Sequence, residues 1–317
     1  MRKLIIDTDT GSDDAVALLM ALRSPEVEVL GITTVSGNVP LEQATQNALM
    51  TVEVCGSRVP VYKGAAKPLF RELVTAVNVH GRDGMGDLDL IHPQSAAQAT
   101  HAVDYLIETV RANPGEVEIV TIGPATNLAL AMLKEPQVMR RTKHIWSMGT
   151  AGFGPGNTTP VAEFNVYVDA ESYAVLLNGG APLTIVGIDQ CKGNAVWTAQ
   201  DMEEIRAGSR VGCFAVDCNS VLRAFQKRRC GQDIVDLPDP VTMAVALWDD
   251  VALDKARCHC YCCTREEEAY GQVILHEEGR VYAIDRPERP VNAEVVRRID
   301  VPLYKARLKE LLIGAEA

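Results

Sequence analysis

Short β-branched or apolar runs alternate with longer runs of helical composition from the fourth residue onward, and no other feature limits the fold as much. Leu4 to Ile6 reads as a strand, Ala15 to Leu22 has helical composition, and Val27 to Val35 returns to β-branched residues. Leu41 to Cys55 and Ala96 to Ala112 read as helices. Val117 to Ile122 reads as a buried strand that stops at Gly123-Pro124, with a helix from Ala125 to Leu133 after it. His144 to Met148 and Leu183 to Val186 are two further strands, with a helix around Ala170 to Leu177 between them. This alternation predicts an α/β fold: an open, mostly parallel, Rossmann-like sheet with helices on both faces. No Pro/Ser-rich linker, low-complexity stretch or internal repeat divides the 317 residues, so 1–317 reads as one domain.

Beyond residue 238 the pattern changes. Asp239 to Trp248 reads as a helix opened by an Asp-Pro pair, the aspartate as N-cap and the proline at the first helical position. Strands are expected around Cys258–Cys263 and Gly271–Leu275, then a turn at Glu278-Gly279 and a strand over Arg280–Ile284. Together they predict a small antiparallel C-terminal appendage, closed by a helix from Val301 to Leu312.

A formal net charge of -11 excludes non-specific nucleic-acid binding, which needs a basic surface. Only three apolar residues precede Asp7, too few for a signal peptide, and no later run is long enough to span a bilayer. A cytoplasmic protein without membrane partners is the expectation. Nine cysteines, an odd number, read as reduced thiols. The run Cys258-His259-Cys260-Tyr261-Cys262-Cys263 lies in a strand-like segment, where alternate side chains point to opposite faces. That favours packed or surface cysteines over a zinc site, which pairs ligands across turns.

Ile6-Asp7-Thr8-Asp9-Thr10-Gly11-Ser12-Asp13-Asp14 sets four carboxylates directly after a strand and at the start of a helix. In a parallel α/β sheet that is the carboxyl edge, where ligands bind. Carboxylates converging there repel one another unless a cation or raised pKa values relieve them, and hard oxygen ligands select calcium or magnesium. Ser36-Gly37-Asn38, Gly156-Asn157, Ala162-Glu163-Phe164-Asn165 and Pro238-Asp239-Pro240 place further amides and acids where neighbouring strands end. Such groups pair well with sugar hydroxyls.

These blocks, in this order, resemble the inosine–uridine-preferring nucleoside hydrolases. The DxDxxxDD pattern at Asp7–Asp14 matches, as do Thr121-Ile122-Gly123-Pro124-Ala125-Thr126-Asn127, Gly156-Asn157 with Glu163-Phe164-Asn165, and the Asp-Pro helix start at 239. The resemblance implies calcium held by Asp9, Asp14, the main-chain carbonyl of Thr121, and Asp239. It implies Asp9 as the base that deprotonates an attacking water. Asp13, Asn38, Asn157, Glu163 and Asn165 would grip the ribose beside the Met148 backbone, and His80 would stand in a loop near the substrate. A homodimer or homotetramer is the family precedent.

One departure bears on chemistry. Many family members carry a histidine before the aspartate at 239, able to protonate the departing base; here Pro238 can donate nothing. Gln226 and Cys230, at i, i+4 spacing on the preceding helix with Lys227 and Arg228 beside them, are the replacement candidates. An aromatic content of 5% disfavours stacking purines between rings and leans the substrate toward pyrimidine ribonucleosides, with Trp197, Trp248 and Phe225 as the available rings. Two alternatives stand: a nucleoside-binding protein impaired in turnover, and a haloacid-dehalogenase-type phosphatase, since Asp7-Thr8-Asp9 also fits that nucleophile motif.

Overall fold

A computed structural model describes residues 1–314 apart from 91, 266, 285, 286 and 288. Its strands, in chain order, are β1 (Arg2–Thr8), β2 (Val27–Thr34), β3 (Val61–Lys63), β4 (Val117–Thr121), β5 (His144–Met148), β6 (Leu183–Val186), β7 (Trp197–Thr198), β8 (Ile234–Val235), β9 (Ala252–Cys262), β10 (Val273–Glu277) and β11 (Ala293–Ile299). Nine of them form one sheet in the order β10-β9-β11-β6-β5-β4-β1-β2-β3, and β7 pairs with β8 in a second, antiparallel one.

Alternate residues of the central strands feed two cores, as the period of two requires. Leu4, Ile6, Val120, Ile122, Trp146 and Met148 pack with the helices Ser12–Arg23, Leu41–Val54, Pro238–Leu247 and Val301–Ile313. Ile5, Val117, Ile119 and Ile145 pack on the other face with Ala102–Ala112, Thr126–Lys134 and Ala170–Leu177. Helices on both faces explain why these strands carry apolar residues on both faces. The helix Ser12–Arg23 has no polar stripe because its residues from Ser12 to Ala21 are all buried.

The chain runs β1-β2-β3 toward one edge, returns to β4 beside β1, and continues through β5 and β6 toward the other. The strand order therefore reverses between β1 and β4, the crevice where ligands bind in open α/β sheets. The antiparallel C-terminal strands are not set apart: β11 pairs parallel with β6, and β9 and β10 extend the same edge antiparallel.

Four local expectations shift. The helix foreseen from Ala96 begins at Ala102, because His101 supplies the N-cap by accepting from Val103 N at 3.2 Å. The helix foreseen from Asp239 is opened by Pro238 with Leu237 as N-cap, so Asp239 stands in its first turn. Residues 280–284 form no strand: after the turn, where Gly279 has φ 73°, the chain leaves the sheet and Val281 is 93% exposed. Besides β10, β9 pairs with β11, a strand the sequence pattern missed; β-branched composition makes no strand without a neighbour to bond. Cys258, Cys260 and Cys262 are buried on one face of β9, and the chain's cysteines are free thiols.

Candidate active site

Asp7 ends β1 with its side chain buried, where Oδ1 accepts from Thr33 Oγ1 at 2.6 Å and Asn127 Nδ2 at 2.8 Å. Burial lifts its carboxyl to about 7 against those bonds. Asp7 thus ties β1 to its neighbours through one oxygen, while the other, Oδ2, is buried without a hydrogen-bond partner.

The next three acids stand at the crevice. Asp14, at the start of the first helix, accepts from Thr8 Oγ1 at 2.6 Å, Gly11 N at 2.9 Å and Asn38 Nδ2 at 3.0 Å. Asp9 Oδ2 accepts from Asn38 N at 2.6 Å. A Cβ on Gly37 would overlap that same oxygen, and one on Gly123 would lie 2.8 Å from Asp9 Oδ1, so two glycines clear the slot Asp9 occupies. Asp239 enters from the helix Pro238–Leu247, and ligand atoms of Asp13, Asp14 and Asp239 lie within 4.8 Å of one another, all buried.

Such crowding has an electrostatic cost. Burial and the charge of Asp13 push Asp14 up to about 7. Asp9 is held well above the usual carboxylate range by burial and then by Asp14, and Asp239 by burial and then by Asp13, Asp14 and Asp9. Oδ1 of Asp9 and Oδ1 of Asp13 are moreover buried without a hydrogen-bond partner. Unpaired, desolvated carboxylate oxygens call for a positive charge. A hard divalent cation meets that demand with the ligand chemistry present, so the residues fit a metal site.

One cavity opens onto this group, lined among others by Asp13, Asn38, His80, Ile122, Met148, Asn157, Glu163, Asn165, Gln226 and Asp239. Asp9 and Asp14 are fully buried beside it. Thr121 lies within the sheet, in register with Asp7 and Ser147; the residue on the cavity wall is Ile122, the first after β4. Its carbonyl accepts from Asn165 Nδ2 at 2.8 Å, and Met148 Sδ lies 3.3 Å from the same nitrogen. Glu163 caps the helix Phe164–Val168, accepting from Asn165 N at 3.0 Å and Val166 N at 3.2 Å, while burial lifts its carboxyl to about 7. Asn157 is exposed at the rim. His80 Nδ1 meets Ser12 Oγ at 2.9 Å and stands 3.6 Å from Asp13 Oδ1; burial lowers its pKa, so it is neutral at pH 7.

Of the groups considered for the missing histidine, Gln226 lines the cavity, whereas Cys230, Lys227 and Arg228 are not among its lining residues. Lys192, Arg229 and Asp236 are there and were not foreseen. The available signal was positional: Asp236 directly follows β8, and Lys192 follows the short turn Ile188–Cys191 that leads away from β6. Trp197 is buried in the core, and the aromatic side chains lining the cavity are Phe164 and Phe225.

The description "Inosine-uridine preferring nucleoside hydrolase" fits residues 4–306 of the chain as a family model. Among related sequences, the chain is 39% identical to a probable uridine nucleosidase 1 of Oryza sativa subsp. japonica, over 98% of this chain and 97% of that one. It is 40% identical to the pyrimidine-specific ribonucleoside hydrolase RihB of Escherichia coli over 59% of this chain and 60% of that protein. Among solved structures it superposes on the plant nucleoside hydrolase PpNRh1 with a TM-score of 0.93 at 32% identity, covering 99% of both chains. A purine-preferring ribonucleoside hydrolase from Gardnerella vaginalis gives 0.88 at 28% identity, over 99% of this chain and 100% of that one.

Proposed function

The chain belongs to the inosine-uridine preferring nucleoside hydrolase family, and from that premise we propose that it hydrolyses the N-glycosidic bond of ribonucleosides, pyrimidine ribonucleosides by preference, with calcium at the aspartate group. The observation that carries the reading is the buried Asp13–Asp14–Asp239 group with the unpartnered Asp9 oxygen beside it, opening on a cavity lined with amides. Asp9, Asp14 and Asp239 would hold the ion together with a main-chain carbonyl at the end of β4. We take that carbonyl to be that of Ile122, which lines the cavity, in place of the Thr121 carbonyl expected from the sequence. A calcium ion held there would supply Lewis acidity toward water and an affinity for hydroxyl oxygens.

The chain's own residues do the rest. Asp9, with one oxygen fixed by Asn38 N and the other free, takes the proton of the attacking water. Asp13, Asn38, Asn157, Glu163 and Asn165 hydrogen-bond the ribose, with Met148 and His80 closing the wall around it. Pyrimidine preference draws on the names of the sequence relatives and on a cavity whose lining rings are Phe164 and Phe225, without a facing tryptophan. Nine free thiols suit the cytoplasm, and among the described residues no helix is long and apolar enough to cross a membrane. One sheet built from both ends of the chain supports a single domain over 1–317, and we take the assembly as a homodimer or homotetramer.

A hydrolysis panel of uridine, cytidine, inosine and adenosine, run with calcium and with a chelator, tests the reading. Turnover on the pyrimidines that disappears on chelation is expected, and Asp9→Asn should lower kcat by about 10³-fold or more while ribose binding stays measurable. Pro238, on the cavity wall without a donor, favours one rival: binding without turnover for all four nucleosides would make this a nucleoside-binding protein.

A further inference from the structure

The cavity has a second polar wall, built from elements that carry none of the aspartate group. Lys192 follows the short turn Ile188–Cys191 after β6, Gln226 and Arg229 lie on the helix Ser220–Cys230, and Asp236 follows β8. Both carboxylate oxygens of Asp236 are engaged, Oδ2 by Lys192 Nζ and Oδ1 by Gln226 Nε2. Lys192 and Arg229 are the cavity's lysine and arginine, against the carboxylates of Asp13, Glu163, Asp236 and Asp239. The Lys192 ammonium is therefore anchored on one side by a buried carboxylate, with further hydrogens available to a molecule in the cavity.

Hydrolysis of an N-glycoside makes one demand the acidic wall cannot meet. As the water oxygen bonds C1′ and its proton passes to Asp9, the C1′–N bond breaks and its electron pair goes to the nucleobase. The base leaves as an anion, and takes its proton from solvent on release while Asp9 gives one up. The ion at the aspartate group would serve the water and the ribose, so the departing anion still calls for a positive group on its own side of the cavity, and Pro238 supplies none. We infer that Lys192, aimed by Asp236, donates a hydrogen bond to the departing nucleobase and offsets its negative charge, in place of a proton-donating side chain. The inference rests on the hydrolase reading. Burial works against the charge on Lys192, yet the Asp236 carboxylate beside it favours that charge and its pKa is raised, so it acts as a fixed cation rather than as an acid.

The test compares leaving groups. The p-nitrophenolate of p-nitrophenyl β-D-ribofuranoside is a stable anion that needs no help to depart. Lys192→Met should lower kcat on uridine and inosine about 10²-fold while p-nitrophenyl riboside turnover stays within about threefold of wild type. Retained activity on the activated riboside also shows that the variant is folded. Lys192→Arg should recover most of the loss, because it restores the charge. Equal losses on both kinds of substrate, or an undiminished kcat on the nucleosides, would overturn the inference alone. Wild-type protein inert toward nucleosides and p-nitrophenyl riboside alike would overturn the hydrolase reading beneath it.

Discussion

Asp9 depends on a residue that has no side chain at all. Gly37 lies against its carboxylate so closely that a methyl group would overlap Oδ2, the oxygen held by Asn38 N. Gly37→Ala should therefore displace the carboxylate and lower kcat by about 10²-fold, since a displacement of about 1 Å at a reacting group costs that much. A kcat near wild type, measured at saturating calcium, would show that the slot has slack. Glu163 makes a different statement, about pH. Its carboxyl titrates near 7 when folded, above the ordinary glutamate range, so the folded state binds the proton more tightly than the unfolded chain does. The stability this adds is present below pH 4 and is lost as pH rises through about 7. It amounts to about 3 kcal/mol at most. Urea unfolding of metal-free Glu163→Gln should show a gain over wild type at pH 8 relative to pH 5; parallel curves for the two proteins would refute it.

At the scale of elements, β9 shows how a strand can resemble a metal motif. Cys258, Cys260 and Cys262 occur at every second position and are buried against the helix Ala170–Leu177, while Tyr261 between them is 50% exposed. Cys260→Ser should cost about 1–3 kcal/mol, because a hydroxyl loses water there without a designed partner. Tyr261→Thr should stay within about 0.5 kcal/mol. Urea midpoints decide between this and a metal site, in which the loss would instead follow zinc removal. The period-two pattern was readable in the sequence because it is local. The pairing of β9 with β11 was not, because register between segments so separated is set by what lies beside them in the sheet. The helix start at Pro238 was likewise misjudged by one residue: Asp-Pro suits a cap, but the chain enters the helix a residue earlier.

For the whole molecule, the aspartate group concentrates like charge at the reversal of the strand order, and folding in the absence of a cation must bear that repulsion. A calcium ion bound only by the folded state should stabilise it by about 2.7 kcal/mol at a hundredfold excess over Kd. The melting temperature should rise with calcium and fall with a chelator, and a melting temperature indifferent to both would remove the metal from the site. The order of strands and helices, the parallel sheet, and the four-aspartate turn after β1 all follow from the sequence, since periodicity and turn chemistry act over a few residues. The resemblance in its ordered motif blocks carried the family as well. Tertiary structure alone decided which groups meet. Asp239 joins Asp13 and Asp14, Ile122 rather than Thr121 lines the cavity, and Lys192 is pinned by Asp236 in the cavity that Pro238 also lines. The reason is geometric: parallel strands deliver their carboxyl ends to one edge, so residues far apart in the chain become neighbours there, and no local pattern records who the neighbour will be.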